Sequence, residues 1–327
     1  MNLDKCNWLN DAFNKINFNN LPHGIIINGP AGIGKKILAK AISEKIINNF
    51  AMDNNETITN LINKNNHPDL YMLDKDKILL KDIRRQKKDS STWDDEKGFN
   101  DVVSFLTLTP SISKNKVVCM LNADTMNVYA QNALLKSLEE PAPHSYVIMT
   151  TSRSKSLNQT IYSRCRVINL PIISASDIDA WLSANGLSDY SSYDFPSYST
   201  PFSILENIQS EKENSYKEFI GLITDFLSEK TDQSQAIKYF GDLEVSFIEK
   251  INFVIEFLKI ILKSKVTGES LSGKYNFFNR STFSNLKISN IISDLNNLRN
   301  DFYEVSSINE THVLNYYFSE LKQSIKQ

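Results

Sequence analysis

Residues 24–46 read GIIINGPAGIGKKILAKAISEKI, and this stretch decides the fold of the first half of the chain. The apolar run Ile25–Ile27 predicts a buried strand, and the apolar residues that recur at every third or fourth position after it predict a helix. The loop between them, Gly29–Lys36, matches the pattern G-x-x-x-x-G-K of a phosphate-cradling P-loop. A strand, this loop and a helix in that order predict an α/β domain.

The residues of this loop that would contact a phosphate are defined by the pattern. Its glycines let backbone amides approach the anion, and the lysine would place an ammonium beside it. The candidate ligands are Gly29, Gly32, Gly34, Lys35 and Lys36. Lys36 departs from the pattern, because a serine or threonine hydroxyl at this position holds Mg²⁺ whereas an ammonium repels it. Metal-assisted hydrolysis in this loop is therefore not expected.

A second catalytic element is also altered. The β-rich run Val117–Leu121 should end in a carboxylate that holds the metal, followed by one that orients water. Asn122 and Ala123 occupy these two positions, and we interpret Asp124 as a turn or helix-capping residue. Two altered elements in one chain indicate that it has lost catalysis.

The remaining pattern divides the chain into three parts. Two further strands are predicted at Tyr146–Thr151 and Arg166–Leu170, and strands that alternate with helices indicate a parallel sheet covered on both faces. Apolar stripes at Ile248–Leu262 and at Leu286–Leu298 predict long helices. The predicted domains are 1–170, a P-loop-like α/β domain; 171–204, a small helical domain; and 205–327, an all-α domain.

Composition limits the classes of partner and compartment. The formal net charge is −2, so the strongly basic footprint of a nucleic-acid-binding domain is absent. The three cysteines, Cys6, Cys119 and Cys165, form no C-x-x-C pair, which is typical of reduced cytosolic thiols. No segment reads as a signal peptide or a membrane span, so we expect a cytoplasmic protein without a membrane partner.

One arginine is a candidate for catalysis in another subunit. Ser163, Arg164 and Cys165 lie between two predicted strands, where a side chain can project from the sheet. A guanidinium delivered from a neighbouring subunit stabilises the charge of phosphoryl transfer. A lone surface arginine is more commonly part of a salt bridge, so the motif needs support from other residues.

That support comes from several motifs in a fixed order. Residues 131–141 read QNALLKSLEEP, residues 67–71 read HPDLY, and Trp8-Leu9 and Thr150–Ser152 lie at corresponding places. Together with Ser163-Arg164-Cys165, these motifs resemble the clamp-loader members of the AAA+ family. The resemblance implies an AAA+ sheet domain, a helical lid and a helical collar. It also makes Thr151 a sensor 1-like residue and Arg164 an arginine finger.

The altered P-loop resembles the delta-prime type of subunit in the bacterial DNA polymerase III clamp loader. That resemblance implies a ring scaffold that supplies Arg164 to the ATP site of a neighbouring motor (gamma/tau) subunit. The implied partners are the motor and delta subunits and, through the complex, the sliding clamp and primer-template DNA. Two alternatives stay open: a motor subunit that itself hydrolyses ATP, and a nucleotide-binding but inert regulator.

Two further features depart from the pattern of the family. Residues 48–66 contain no cysteine, so the zinc module of many relatives is not expected, and we interpret His67 as structural. No sensor 2 arginine lies near residues 199–203. The chain is expected to need no metal and no cofactor of its own. The charged run at residues 81–88 is interpreted as a solvated helix face rather than a DNA contact.

Overall fold

The computed structural model of the chain describes residues 3–48, 59–62, 64, 66–84, 101–271, 273–279, 282–302 and 309–326. Contacts between residues divide the chain into two compact units. The first comprises Met1–Asp177 with Thr200–Ser203, and the second comprises Ile178–Ser199 with Ile204–Gln327. These contacts group residues 178–199 with the later helices, and the separate lid at 171–204 and collar at 205–327 stay a prediction.

The first unit is built on a five-stranded parallel sheet. Its strands are β1 (Gly24–Asn28), β2 (Leu70–Asp74), β3 (Lys116–Leu121), β4 (Ser145–Thr151) and β5 (Cys165–Asn169). Their order in the sheet is β2-β3-β4-β1-β5. Strand β1 lies between β4 and β5 and pairs in parallel with both, which places the P-loop at the carboxyl edge beside the ends of these two strands.

This sheet confirms the predicted α/β class and adds one strand. Strand β2 was not predicted from the sequence, although its residues 70–73, LYML, form a short apolar run. It pairs with β3 at the edge of the sheet. The helices of this unit are Asn7–Asn14, Lys35–Asn48, Leu80–Ile83, Val102–Thr107, Val128–Glu139 and Gln159–Tyr162, with Ala175–Ala184 beginning in it.

Residues 67–69, the HPD segment, anchor the start of β2. The carboxylate of Asp69 is fully buried and accepts hydrogen bonds from the backbone amides of Ser111, Ile112 and Ser113 at 2.6–2.9 Å. His67 accepts a hydrogen bond from the Asp69 amide through Nδ1 at 3.1 Å. Burial lowers the pKa of His67, against the opposing effect of Asp69. The segment therefore ties β2 to the loop before β3.

The second unit is helical around an aromatic core. Its helices are Pro201–Gln209, which begins in the first unit, Ser215–Leu227, Gln233–Asp242, Phe247–Thr267, Asn285–Asp301 and Glu310–Ser324. A short antiparallel pair joins Thr282–Phe283 to Ile325–Lys326. Six phenylalanines at its centre are fully buried: Phe219, Phe226, Phe240, Phe257, Phe278 and Phe318. Among the described helices, none is long and apolar enough to cross a membrane.

The predicted apolar stripes pack mainly within this core. Ile251, Val254 and Leu258 of the first stripe are buried, as are Ile288 and Ile291 of the second. Leu286 was assigned wrongly to the second stripe, because its side chain is 72% exposed. Two positions correspond to about 200° around a helix, so Leu286 and Ile288 lie on nearly opposite faces.

A tight contact between β1 and β5 yields a testable prediction. A Cβ atom added at Gly24 would lie 2.5 Å from the Sγ atom of Cys165, well inside van der Waals contact. We expect Gly24→Ala to lower the free energy of unfolding of the first unit by about 1–3 kcal/mol, since overpacking forces neighbours to move. Denaturant titration followed by circular dichroism measures this change.

The contact between Gly24 and Cys165 can be tested with a double mutant and with a control glycine. In a Cys165→Ala background the same Gly24→Ala change should cost much less, because the obstructing sulfur is gone. Gly221 lies in the helix Ser215–Leu227, where an added Cβ meets nothing within 4 Å. Gly221→Ala should therefore leave stability unchanged or raise it by up to about 1 kcal/mol. Equal costs of Gly24→Ala in both backgrounds would contradict the assignment to Cys165.

Candidate functional site

The P-loop keeps the backbone shape of a phosphate-binding loop. Gly32 and Gly34 adopt φ values of 69° and 97°, a region that residues with a Cβ rarely enter. A Cβ at Gly32 would also collide with the Thr200 hydroxyl and lie 2.8 Å from the backbone nitrogen of Ser203. The glycines are thus required by the loop and its packing.

Other parts of the first unit bond to the carbonyl groups of this loop. Trp8 donates from Nε1 to the carbonyl oxygen of Ile33 at 2.9 Å. From the segment Thr200–Ser203, the Thr200 hydroxyl donates to the oxygen of Ala31 at 2.8 Å, and the amide of Phe202 donates to that of Gly32 at 3.0 Å. The motif Trp8-Leu9 and residues 200–203 therefore act as supports of the loop.

The side chain of Lys35 is turned onto its own chain. Its Nζ atom donates to the carbonyl oxygens of Gly29 and Pro30, both at 2.7 Å, and to the hydroxyl of Ser152 at 2.8 Å. A lysine ammonium has three N–H donors, so these bonds use all of them. Only 8% of the residue is exposed, and burial lowers its pKa to about 8 against the opposing charge of Asp124.

Lys36 takes part in a different contact. Its ammonium lies 2.7 Å from Oδ2 of Asp74 at the end of β2, and both side chains are about half exposed. An exposed pair of this kind contributes about 0–1 kcal/mol, so it matters here for its charge and position rather than for stability. A cation at the position of the metal-binding hydroxyl does not fit Mg²⁺.

The end of β3 carries no metal-binding carboxylate at the two expected positions. Asn122 has a left-handed backbone with φ of 55°, and its backbone amide donates to the Thr150 hydroxyl at 3.0 Å. Ala123 is fully buried at the start of the turn Ala123–Thr125. Asp124 lies in this turn, as the sequence indicated, and its Oδ2 atom also accepts a hydrogen bond from Nε of Arg153 at 3.2 Å. The pair with Arg153 was not predicted.

Thr151, the sensor 1-like residue, is fully buried at the end of β4. Its hydroxyl lies 3.2 Å from Oδ1 of Asn28 at the end of β1. Asn28 in turn donates from Nδ2 to Oδ1 of Asn169 at 2.9 Å. A row of polar side chains thus crosses β4, β1 and β5 at the carboxyl edge, and the Thr151 hydroxyl is part of it.

The three residues of the motif Ser163-Arg164-Cys165 have different environments. The Ser163 hydroxyl donates to the oxygen of Thr160 at 3.0 Å. Cys165 begins β5 against Gly24, and burial raises the pKa of its thiol to about 12. The Arg164 side chain is about one third exposed, and its Nη2 atom lies 2.8 Å from Oε1 of Glu139. Its polar partners are Glu139, Thr160 and Ser163, and none belongs to the P-loop.

The remaining predictions concern the absence of a metal site and the charged run at residues 81–88. Within the described ranges, no group of three or more His, Cys, Asp or Glu side chains is arranged to hold a metal ion. Part of the cysteine-free segment 48–66 lies outside those ranges. Of the charged run 81–88, the described part reaches residue 84, and Leu80–Ile83 is a short helix. Residues 85–88 lie outside the described residues.

The titration of Lys35 is directly measurable. Burial of the ammonium lowers its pKa to about 8 from the ordinary lysine value of 10.5, so we expect Nζ to lose its proton near pH 8. Between these two values the unfolded chain holds the proton that the folded chain has lost, so the contribution of this group to stability rises with pH. ¹³Cε-lysine NMR follows the titration, and Lys35→Met identifies the signal. A Lys35 resonance that titrates with the exposed lysines would contradict the buried arrangement.

Comparison with known proteins gives a consistent set of relatives. The family model described as DNA polymerase III, delta subunit, matches residues 6–174. DNA polymerase III subunit delta' of Haemophilus influenzae is 31% identical over 163 residues, which are 49% of this chain and 46% of that protein. The delta' subunit of Pseudomonas aeruginosa is 30% identical over 164 residues, with 49% and 46% covered. This chain thus spans about half the length of the curated relatives it matches.

Two further comparisons involve gamma-type proteins. The gamma/tau subunit of DNA polymerase III from Mycoplasma genitalium is 32% identical over 158 residues, which are 47% of this chain and 24% of that protein. A solved structure of a gamma subunit-related protein from Thermotoga maritima is 14% identical and covers 98% of this chain and 99% of that one, with a TM-score of 0.49.

Proposed function

Because the chain belongs to the DNA polymerase III delta-subunit family, whose model matches residues 6–174, we propose that it is a non-catalytic, delta-prime-type subunit of a clamp loader. In this role it is a scaffold of the ring that loads the sliding clamp onto primed DNA during replication. It delivers Arg164 to the ATP site of a neighbouring motor subunit.

One contrast carries this proposal. The ammonium of Lys35, which should meet a phosphate, is consumed by three hydrogen bonds within the chain. The guanidinium of Arg164, by contrast, lies at the surface and away from that loop, with about one third of the side chain exposed. Guanidinium groups stabilise the charge of a transferring phosphoryl group when another subunit delivers them. The two groups together favour catalysis in a neighbour over catalysis in this chain.

The alternative, a motor subunit with its own ATPase activity, is disfavoured by the same residues. Lys36 pairs with Asp74, and neither Asn122 nor Ala123 supplies a carboxylate for a metal. The Thr151 hydroxyl is buried in the polar row at the end of β4. We therefore derive no step through Mg²⁺–ATP in this chain. ATP acts at the neighbouring subunit, and the chain needs neither zinc nor another cofactor.

The partners follow from this role. The chain contacts motor (gamma/tau) subunits and the delta subunit, and it reaches the clamp and primer-template DNA through the assembled complex. The second unit is the candidate for assembly into a helical collar. Its phenylalanine-rich core is already buried within the chain, so assembly would use other residues of its helices. The place of action is the cytoplasm, where replication proceeds.

The trans role of Arg164 can be tested in a reconstituted complex. The other motor sites should carry inactivated P-loops, so that hydrolysis reports the site next to this subunit. We expect Arg164→Ala to lower clamp- and DNA-stimulated ATP hydrolysis there by at least about tenfold, since the transition state loses a cationic partner. Phosphate release measures the rate, and size-exclusion chromatography verifies assembly.

Arg166 supplies a matched control. It lies two residues further on, in β5, is exposed, and donates to the oxygen of Lys15 at 3.4 Å. Arg166→Ala should leave the stimulated rate within about twofold of the unmodified complex, as expected for a surface arginine. Unchanged hydrolysis with Arg164→Ala in an intact complex would refute the trans role.

The absence of an intrinsic ATPase activity is a separate prediction. The purified chain should release phosphate from Mg²⁺–ATP no faster than its Lys35→Ala variant, because neither protein can hold the metal. Equilibrium binding of labelled ATP then distinguishes the scaffold from an inert nucleotide-binding regulator, and we expect no saturable binding. Turnover that Lys35→Ala abolishes would instead establish the motor alternative.

A further inference from the structure

The guanidinium of Arg164 is held by groups from two separate elements. Its Nη1 atom donates to the carbonyl oxygen of Thr160 at 2.9 Å and to the hydroxyl of Ser163 at 3.2 Å. Its Nη2 atom lies 2.8 Å from Oε1 of Glu139, the last residue of the helix Val128–Glu139. The first two acceptors belong to the same turn as the arginine, whereas Glu139 comes from another part of the first unit.

These contacts leave one edge of the guanidinium open. An arginine has five N–H donors, two on each Nη and one on Nε. Nη1 uses both of its hydrogens, whereas Nη2 contacts Glu139 as an ion pair rather than through a hydrogen bond. Among the described residues, no acceptor is hydrogen-bonded to Nε or to Nη2. Nε and Nη2 form the edge of the fork that binds carboxylates and phosphates in bidentate fashion.

The helix that carries Glu139 is also fixed to the segment that precedes Arg164. Oε1 of Gln131 accepts a hydrogen bond from the amide of Asn158 at 2.7 Å. Nδ2 of Asn158 donates to Oδ1 of Asn132 at 3.2 Å. These two bonds join the first half of the helix to a residue six positions before Arg164, so the two elements that carry Glu139 and Arg164 are connected.

The ion pair between Glu139 and Arg164 is strong enough to orient the arginine but too weak to keep it from binding a phosphate. The two side chains are 34% and 46% exposed, and such ion pairs contribute about 0–1 kcal/mol. A contact of this size reduces the number of rotamers open to a long, flexible arginine. It is too weak to hold the guanidinium against a phosphate, whose charge is larger and whose oxygens match the open edge.

We propose that Glu139 is a positioning residue for Arg164, which it holds with the Nε–Nη2 edge directed toward a phosphate of the neighbouring subunit. This inference rests on the proposed trans role of Arg164. Glu139 does not contact the nucleotide in this scheme, and all of its effect on hydrolysis passes through the arginine.

The contact itself can be tested without any partner. In the isolated full-length chain labelled with ¹⁵N-arginine, Arg164→Lys identifies the Arg164 signals. We expect slow rotation about the Cζ–Nη bonds, seen as separate Nη resonances, in the unmodified chain. Glu139→Ala should average these resonances. The control Glu140→Ala removes the adjacent carboxylate, which is also exposed, and should leave them separate. Averaged Nη resonances in the unmodified chain would overturn the proposal.

The functional consequence is measured by a double-mutant cycle in the complex with one active motor site. Glu139→Ala should lower stimulated hydrolysis by about two- to fivefold, the range of a weak ion pair, and Glu140→Ala should leave it unchanged. In an Arg164→Ala background, Glu139→Ala should cause no further loss. A residue that merely supports the fold would lower the rate in both backgrounds.

The outcomes separate this proposal from the proposed function. If Arg164→Ala lowers hydrolysis but Glu139→Ala does not, the trans role stands and the positioning role is refuted. If Glu139→Ala raises hydrolysis, the carboxylate competes with phosphate for the arginine, which also refutes positioning. If Arg164→Ala has no effect in an intact complex, both proposals fall, whatever the NMR spectra show.

Discussion

The three hydrogen bonds of the Lys35 ammonium are the interaction on which the rest of the site depends. They connect the P-loop to Ser152, the residue after β4, so the loop, β1 and the neighbouring strand β4 are joined by hydrogen bonds. The amine thereby stabilises the loop from within. A lysine that closes its own loop explains how the strand-loop-helix geometry persists without a metal-binding hydroxyl beside it.

The carboxyl edge of the sheet is occupied by similar internal contacts. Asn28, Thr151 and Asn169 bond across three strands, and Asp124 pairs with Arg153. Each of these polar groups satisfies another group of the same unit, as buried polar atoms generally must. Arg164 differs, because part of its hydrogen-bonding capacity is directed outward. The polar residues at the carboxyl edge thus bond within the unit, whereas Arg164 keeps N–H donors that no described residue uses.

Local patterns in the sequence predicted most of the fold of the chain. The P-loop, four of the five strands and the helical second half all follow from apolar periodicity and glycine spacing, and the family resemblance is confirmed. Strand β2 was not predicted because its apolar run is only four residues long and begins inside the motif HPDLY, which was interpreted only as evidence of the family. The pairs Lys36–Asp74 and Glu139–Arg164 join residues 38 and 25 positions apart. No local pattern specifies such pairs, since the arrangement of the sheet and helices determines them.

The burial of the native thiols has a practical consequence for biophysical work on this chain. Cys6 and Cys119 are fully buried, and the pKa values of the Cys119 and Cys165 thiols are raised to about 12, so little thiolate exists near neutral pH. Maleimide dyes react with thiolates. A single cysteine introduced at the exposed position of Lys155 could therefore be labelled selectively with the native cysteines in place, for single-molecule fluorescence of the chain.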